Sequence, residues 1–414
     1  MGRRIIHVLR RLNPYEWGGT ETVVFETSLE LMKRGYEFKI ICPRIKGIPD
    51  KSTIYGIPVE RFKYFYPYLG LKHEMRALMD RDAGPFLSFD ALLKLLQEKN
   101  IDLIHSHTAG RLGGITLTAA RLRRLPYVIT IHGGITDLPL HVTERHRSYT
   151  AGTINWGKPF GMILGSRTIF TRADAIFCVG RREAELMQER YPSQRVLYLP
   201  NGVDLEFFAR GKAAEFRKQY GIASDDQVIL NVGRTMKQKN QRLLVEALPA
   251  VLQRCPKARL VLIGAVIDPA YRTDLIKEAA RLGVDNRLTA IPGLPPHSQE
   301  LADAYAACDL FIVPSSYETF GIVVLEAWAS HKPVIASKVG GLEGFVEHEK
   351  DALLFNADDK DTLVKSTIRL LGDKQLCTRL AEAGYEKAKR EYTWPRRCDK
   401  VEAAYNELIE ASQK

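Results

Sequence analysis

The sequence predicts an α/β fold of two doubly wound domains, each a parallel sheet covered by helices on both faces. Short β-branched runs alternate with segments of helical period from one end of the chain to the other. The turn-forming cluster Pro200-Asn201-Gly202-Val203-Asp204 splits that alternation into two similar halves. At 414 residues the chain also exceeds what one hydrophobic core holds.

Residues 4–9 make the first strand, an apolar run closed by Arg10-Arg11 and too short to be the hydrophobic part of a secretory leader. Helical spacing follows over 21–34, then a strand at 37–42. Helix 86–99 leads to strand 102–105, and helix 112–124 to strand 127–132. Strand 175–179 passes through helix 181–190 to strand 195–199. In the second half, strands fall at 228–232, 259–263, 288–291, 310–313, 334–336 and 352–355. Beyond about residue 385 the spacing is helical to the end, interrupted at Tyr392-Thr393-Trp394-Pro395. The expected domains are residues 1–200 and 201–392, with a last helix over about 393–414 that packs back on the first domain.

Composition sets limits on function. Apolar residues at 45% and charged residues at 26% describe a soluble globular chain. No stretch of eighteen apolar residues spans a membrane. Gly2 lacks the Ser or Thr at position 6 that N-myristoylation requires, since Ile6 stands there. The six cysteines are widely spaced and form no Cys-x-x-Cys pair, which points to a reducing cytoplasm and no structural metal. The net charge of +11 is uneven: residues 1–200 hold 30 Lys and Arg against 19 Asp and Glu, and residues 201–414 hold 30 of each. Either a solvated basic surface or an anionic partner of the first half accounts for it.

The densest chemistry follows strand 310–313. Pro314-Ser315-Ser316 ends the strand, and Tyr317-Glu318-Thr319-Phe320-Gly321 leads into an apolar helix expected to begin near Phe320 and to carry Glu326. Free amides at Gly321, Ile322 and Val323 would stand at a strand's carboxyl end, a place that suits a diphosphate. Glu318 and Glu326, roughly 8 to 10 Å apart along such a helix, would then serve a sugar and a ribose diol respectively. The plainer reading is a capping Glu318 and a solvated Glu326.

Gly233-Arg234 ends strand 228–232, and Lys239 follows on the loop into the next helix. These two cations could neutralise a departing diphosphate, or simply line a solvated loop. Gly18-Gly19-Thr20-Glu21 marks the same kind of junction in the first domain, either as a ligand approach with Thr20 as N-cap or as a turn. His132, at a strand end before Gly133-Gly134, is positioned for a site role, whereas His105 and His107 read as packing. Asp80-Arg81-Asp82 and Asp359-Lys360-Asp361 have a metal-binding spacing, but neither follows a buried strand. No Gly-x-Gly-x-x-Gly, P-loop, Gly-x-Ser-x-Gly or His/Cys ligand cluster occurs. The aromatic stretch 62–68, with Lys72, Arg76, Arg121, Arg123 and Arg124, suits either packing or an anionic headgroup layer. Residues 137–165 lack a clear period and suit a cover over an acceptor.

Taken together, these motifs resemble those of glycosyltransferase family 4, with its GT-B architecture of two facing Rossmann-like domains and an interdomain cleft. The resemblance rests on Gly18-Gly19-Thr20-Glu21, Thr130-Ile131-His132-Gly133, Pro200-Asn201-Gly202-Val203-Asp204, Gly233-Arg234 with Lys239, Pro314-Ser315 with Glu318 and Glu326, Val339-Gly340-Gly341, and Tyr392-Thr393-Trp394. It departs from the family pattern at Glu343-Gly344, where the family usually reads Pro-Glu. The resemblance implies a retaining, metal-independent hexosyltransferase using a UDP- or GDP-linked sugar. It puts Arg234 and Lys239 on the donor diphosphate, Glu326 on the ribose and Glu318 on the transferred sugar. The amides after Gly321 support the phosphate, Gly18 and Gly19 approach it, and His132 contacts the sugar across the cleft. No cofactor is expected. The basic first domain suits a lipid-linked or polyanionic acceptor, with the protein cytoplasmic or peripheral on the inner membrane face, in cell-surface polysaccharide or glycolipid synthesis.

Two other readings compete. A sugar-nucleotide epimerase or a phosphorylase would use the same architecture, although no lysine has a cofactor-anchoring context. A nucleic-acid-binding or scaffold protein would use the basic half, but its cations are scattered and no recognition helix or stacking sheet accompanies them, so no nucleic acid is expected.

Overall fold

The computed structural model describes residues 2–81, 84–134 and 148–414, and these divide into two compact units, residues 2–200 with Arg397–Lys414, and Asn201–Arg396.

The first unit is built on an eight-stranded sheet in the order Val196–Tyr198, Ala175–Cys178, Tyr127–Ile131, Leu103–Ser106, Arg4–Val8, Glu37–Pro43, Ile57–Phe62, Lys51–Ile54. All neighbours are parallel except the last pair, an antiparallel hairpin turned at Tyr55 and Gly56, both at positive φ. That edge corrects the expectation of a wholly parallel sheet. Successive residues of each strand alternate between two apolar clusters, as a strand with two covered faces requires. Ile6, Val8, Ile104 and Ile129 enter one cluster, and Ile5, Leu9, Leu103 and Val128 the other. Each such fully buried side chain contributes about 1.5–3 kcal/mol relative to exposure.

The last helix, Trp394–Gln413, adds Cys398, Val401, Ala404, Tyr405 and Ile409 to the second cluster. Arg397 anchors it. That guanidinium is only 4% exposed and donates to the carbonyls of Leu199 and Pro200, the latter at 2.9 Å, and to Thr27 Oγ1 at 3.3 Å. A buried cation without a carboxylate is held by carbonyl dipoles instead.

The second unit carries six parallel strands in the order Leu288–Ile291, Ala258–Ile263, Gln227–Val232, Leu310–Val313, Val334–Ser337, Leu353–Phe355. The chain builds outward in one direction from Gln227–Val232, then returns to build outward in the other from Leu310–Val313. Their carboxyl ends therefore flank the point where strand order reverses, the place at which ligands bind in open sheets of this kind. In the first unit the equivalent point lies between Arg4–Val8 and Leu103–Ser106.

The aromatic stretch 62–68 mostly turns inward: Phe62, Tyr66 and Pro67 are buried, and Phe65 and Tyr68 pack against the core. Arg121 and Arg123 donate to the backbone carbonyls of Arg172 and Leu95. Both observations favour packing over a headgroup layer at these residues.

Candidate active site

In the second unit the buried strand Leu310–Val313 delivers the loop 314–320 to the reversal point. Three neighbours fix that loop. Ser337 Oγ donates to the Ser315 carbonyl at 2.6 Å. Ser316 N donates to the Gln238 carbonyl at 2.9 Å, and Gln238 Nε2 donates back to the Tyr317 carbonyl at 3.0 Å. Gly341 N donates to the Glu318 carbonyl at 2.8 Å. The last contact explains a glycine, because a Cβ on Gly341 would lie 2.0 Å from the Thr319 carbonyl oxygen.

Glu318 is 8% exposed and accepts from Lys239 Nζ at 2.5 Å and from Ser315 Oγ at 3.2 Å, both at Oε2. Lys239 comes from the turn Lys237–Lys239 that follows strand Gln227–Val232. The two strand ends flanking the reversal point are thus joined by one ion pair. Such a largely buried pair costs desolvation on both sides, so its value lies in fixing geometry more than in stability.

Gly321 takes φ +95°, which a residue with a side chain rarely adopts, and the helix begins only after it, at Ile322. That start is two residues later than the sequence suggests, because the left-handed residue interrupts helical φ/ψ. Among the described residues the amides of Gly321, Ile322 and Val323 have no acceptor. They leave the positive end of a helix open beside Glu318.

Glu326, in the middle of helix Ile322–Ala329, is half-buried and accepts from Tyr305 Oη at 2.5 Å. Tyr305 is fully buried between Phe208 and Phe311, and burial, reinforced by the Glu326 carboxylate, holds its phenol well above the usual range. It therefore remains a donor that aims the carboxylate. Glu318 is held by Lys239 and Ser315, and Glu326 by Tyr305.

Arg234 is exposed and, among the described residues, its guanidinium has no hydrogen-bond or ion-pair partner. Its backbone is held: buried Gln241 Nε2 donates to the carbonyls of Gly233 and Arg234 at 3.3 and 3.0 Å. Tyr305 and Gln241 are absent from the sequence reading, since an apolar helix position and a helix-start glutamine carry no motif.

In the first unit Gly18, in extended conformation, caps helix Gly19–Met32. Thr20 lies inside the first turn, so it is not the N-cap. Thr22 instead closes the junction, its Oγ1 accepting from Trp17 Nε1 and donating to the Gly18 carbonyl. His132 follows strand Tyr127–Ile131 and lies 2.8 Å, Nε2 to Nδ1, from His107. His107 Nε2 in turn lies 2.8 Å from His7 Nδ1. His107 therefore bridges His7 and His132. Burial pulls the imidazoles of His7 and His132 down to about 3, with Arg397 and His7 adding to the effect at His132. His105 stands apart, bonded to Thr130 Oγ1 at 2.6 Å and Tyr405 Oη at 2.5 Å.

Of the two Asp-x-Asp pairs, Asp359 caps helix Lys360–Gly372 through Thr362. Asp82 of the other lies outside the described residues, as does much of the 137–165 stretch.

Comparisons with known proteins agree with this layout. The family described as Glycosyltransferase Family 4 matches residues 17–207, and that described as Glycosyl transferases group 1 matches residues 212–387. A D-inositol 3-phosphate glycosyltransferase of Stackebrandtia nassauensis is 30% identical, the match covering 99% of this chain and 92% of that protein. One of Corynebacterium glutamicum is 28% identical over 95% and 92%. Among solved structures, sucrose-phosphate synthase from Thermosynechococcus elongatus superposes with a TM-score of 0.73 at 22% identity, covering 99% of this chain and 100% of that one. The Anabaena HepE protein in complex with UDP-glucose gives 0.73 at 19% identity, covering 98% and 99%.

Proposed function

Because the chain belongs to glycosyltransferase family 4 and has the GT-B fold, we propose that it transfers a hexosyl group from a UDP- or GDP-linked sugar to a hydroxyl acceptor with retention of configuration. The observation that carries this reading is the Lys239–Glu318 pair at the strand-order reversal, beside open amides at Gly321, Ile322 and Val323. A donor diphosphate takes the amides and the cations Lys239 and Arg234, and its ribose diol takes Glu326. Glu318 holds hydroxyls of the transferred sugar. From the first unit, Gly18 and Gly19 at a helix start and His132 at a strand end are the residues we assign to substrate.

No bound metal is required in this scheme, because two cations and a helix start supply the positive charge that a departing diphosphate needs. The acceptor hydroxyl attacks the anomeric carbon on the face the diphosphate leaves, and a leaving phosphate oxygen takes the hydroxyl proton. The acceptor is anionic, and the inositol phosphate in the relatives' names agrees with the basic excess of residues 1–200. A thermal-shift series with UDP, GDP and their sugars tests the donor, since a ligand of the folded state raises its melting temperature. Turnover of the winning sugar with inositol 3-phosphate then tests the acceptor. A chain stabilised by none of the nucleotides would end the proposal.

A lipid-linked acceptor at the cytoplasmic membrane face, in cell-surface polysaccharide or glycolipid synthesis, is a second reading with its own support. Leu69 and Ile154 pair across a two-stranded ribbon at 60% and 68% exposure. Beside them Trp156, Phe160 and Phe89 form a chain of ring contacts, and Met162 and Ile163 extend it at 51% and 78%. Exposed aromatic and aliphatic groups on a basic domain fit an anionic bilayer surface. No helix among the described residues is long and apolar enough to cross a membrane, so attachment would be peripheral. Co-sedimentation with phosphatidylglycerol vesicles that Ile163→Asp leaves unchanged would remove this reading.

A further inference from the structure

We propose that His107 and His7 are positioning residues that hold His132 as a fixed Nδ1–H donor, not a base. The proposal rests on the reading of His132 as a substrate contact. Three imidazoles run in a hydrogen-bonded line, His7 Nδ1 to His107 Nε2 and His107 Nδ1 to His132 Nε2, each link at 2.8 Å.

A neutral imidazole carries one N–H and one lone pair, so the line has two arrangements. With hydrogens on the Nδ1 atoms, His7 donates to His107, His107 donates to His132, and His132 keeps Nδ1–H for a substrate oxygen. With hydrogens on the Nε2 atoms, both links reverse, and His132 presents a bare Nδ1 lone pair.

The far end of the line decides between them. His7 is 1% exposed and, among the described residues, its Nε2 has no partner. The first arrangement strands a lone pair there, and the second strands an N–H. Among buried backbone groups an orphaned N–H is rarer than an under-used acceptor, and the same preference applied to the imidazole favours the first arrangement. Protonation does not blur the choice, because burial keeps all three imidazoles neutral near neutral pH. His7 also stacks on Phe38 at 5.2 Å, which fixes its ring.

A metal offers the competing explanation of the cluster. His7, His105 and His107 place ligand atoms within 4.8 Å of one another. However, both nitrogens of His105 are already engaged by Thr130 and Tyr405, which leaves a metal one open nitrogen, on His7.

Histidine-selective ¹⁵N labelling of the full chain tests the inference without any substitution that risks the fold. Long-range ¹H–¹⁵N correlations read each tautomer directly, with the His132 signal identified by its loss in His132→Asn. The expected result is a protonated Nδ1 and an unprotonated Nε2 on His132. The reverse pattern, or a zinc ion bound stoichiometrically to the purified chain, would overturn the inference. Kinetics give the second arm. His107→Asn keeps an amide N–H near the Nδ1 position and retains turnover, whereas His107→Phe lowers kcat on the order of tenfold to a hundredfold with donor KM little changed. Equal kcat in both variants, each folded by circular dichroism, would also overturn it. Nucleotide affinity, read separately by titration, shows whether the donor site itself has failed.

Discussion

Lys239 and Glu318 form the 2.5 Å contact that ties together the two strand ends at the reversal point of the second sheet. If Lys239 grips a diphosphate and Glu318 a sugar, their substitutions separate. Lys239→Ala should weaken UDP binding, measured by titration calorimetry, by about tenfold to a hundredfold, the worth of one charged hydrogen bond. Glu318→Gln should leave UDP affinity intact or higher, because the ammonium loses its competitor, while turnover collapses. An equal loss of UDP affinity in both variants would reduce Glu318 to a support for Lys239.

Tyr305 should act through Glu326. Its hydroxyl donates to the carboxylate at 2.5 Å, so Tyr305→Phe frees the acid to turn away from a ribose diol. UDP affinity should fall about threefold to tenfold, as for one ordinary hydrogen bond. Glu326→Ala should cost more, and the double variant no more than Glu326→Ala alone. A 2′,3′-dideoxy UDP should bind all of these chains alike. Additive losses would show that Tyr305 works elsewhere.

Gly341→Ala should damage the site from outside it. The new methyl would stand 2.0 Å from the Thr319 carbonyl, and the loop carrying Glu318 must move to admit it. A destabilisation of about 1–3 kcal/mol, typical of overpacking, should accompany a fall in kcat/KM larger than stability alone explains. Gly372→Ala, whose added carbon meets nothing within 4 Å, is the control and should stay within about 0.5 kcal/mol. Normal kinetics in Gly341→Ala would mean that the loop is not part of the site.

The alternation of strands and helices was legible because strands covered on both faces read as unbroken apolar runs. Strand ends deviate by a residue or two, and the hairpin of Lys51–Ile54 and Ile57–Phe62 escapes the apolar pattern although Tyr55-Gly56 marks its turn. Lys51-Ser52-Thr53-Ile54 is an edge strand with little burial, so its apolar signal is faint. In the site, residues next to glycines at strand ends stood out. Their partners did not: Tyr305 lies on an apolar helix, and His7 is 100 positions from His107, so that link depends on which strands are neighbours in the sheet.

The same histidines should make stability depend on pH. His7 and His132 are held near 3 by burial against an ordinary value of 6.5, so the unfolded chain takes up protons near pH 6.5 that the folded chain refuses until near pH 3. Between those values the unfolded state binds more protons, and stability must fall as pH drops. From pH 7.5 to 5 most carboxylates remain ionised, which leaves the histidines as the main contributors. Urea midpoints should therefore decline across that interval, and less steeply in His7→Phe, which removes one of the groups. A midpoint that is flat or rises on acidification would show that these imidazoles are charged in the folded protein, and the neutral line from His7 to His132 would then be wrong.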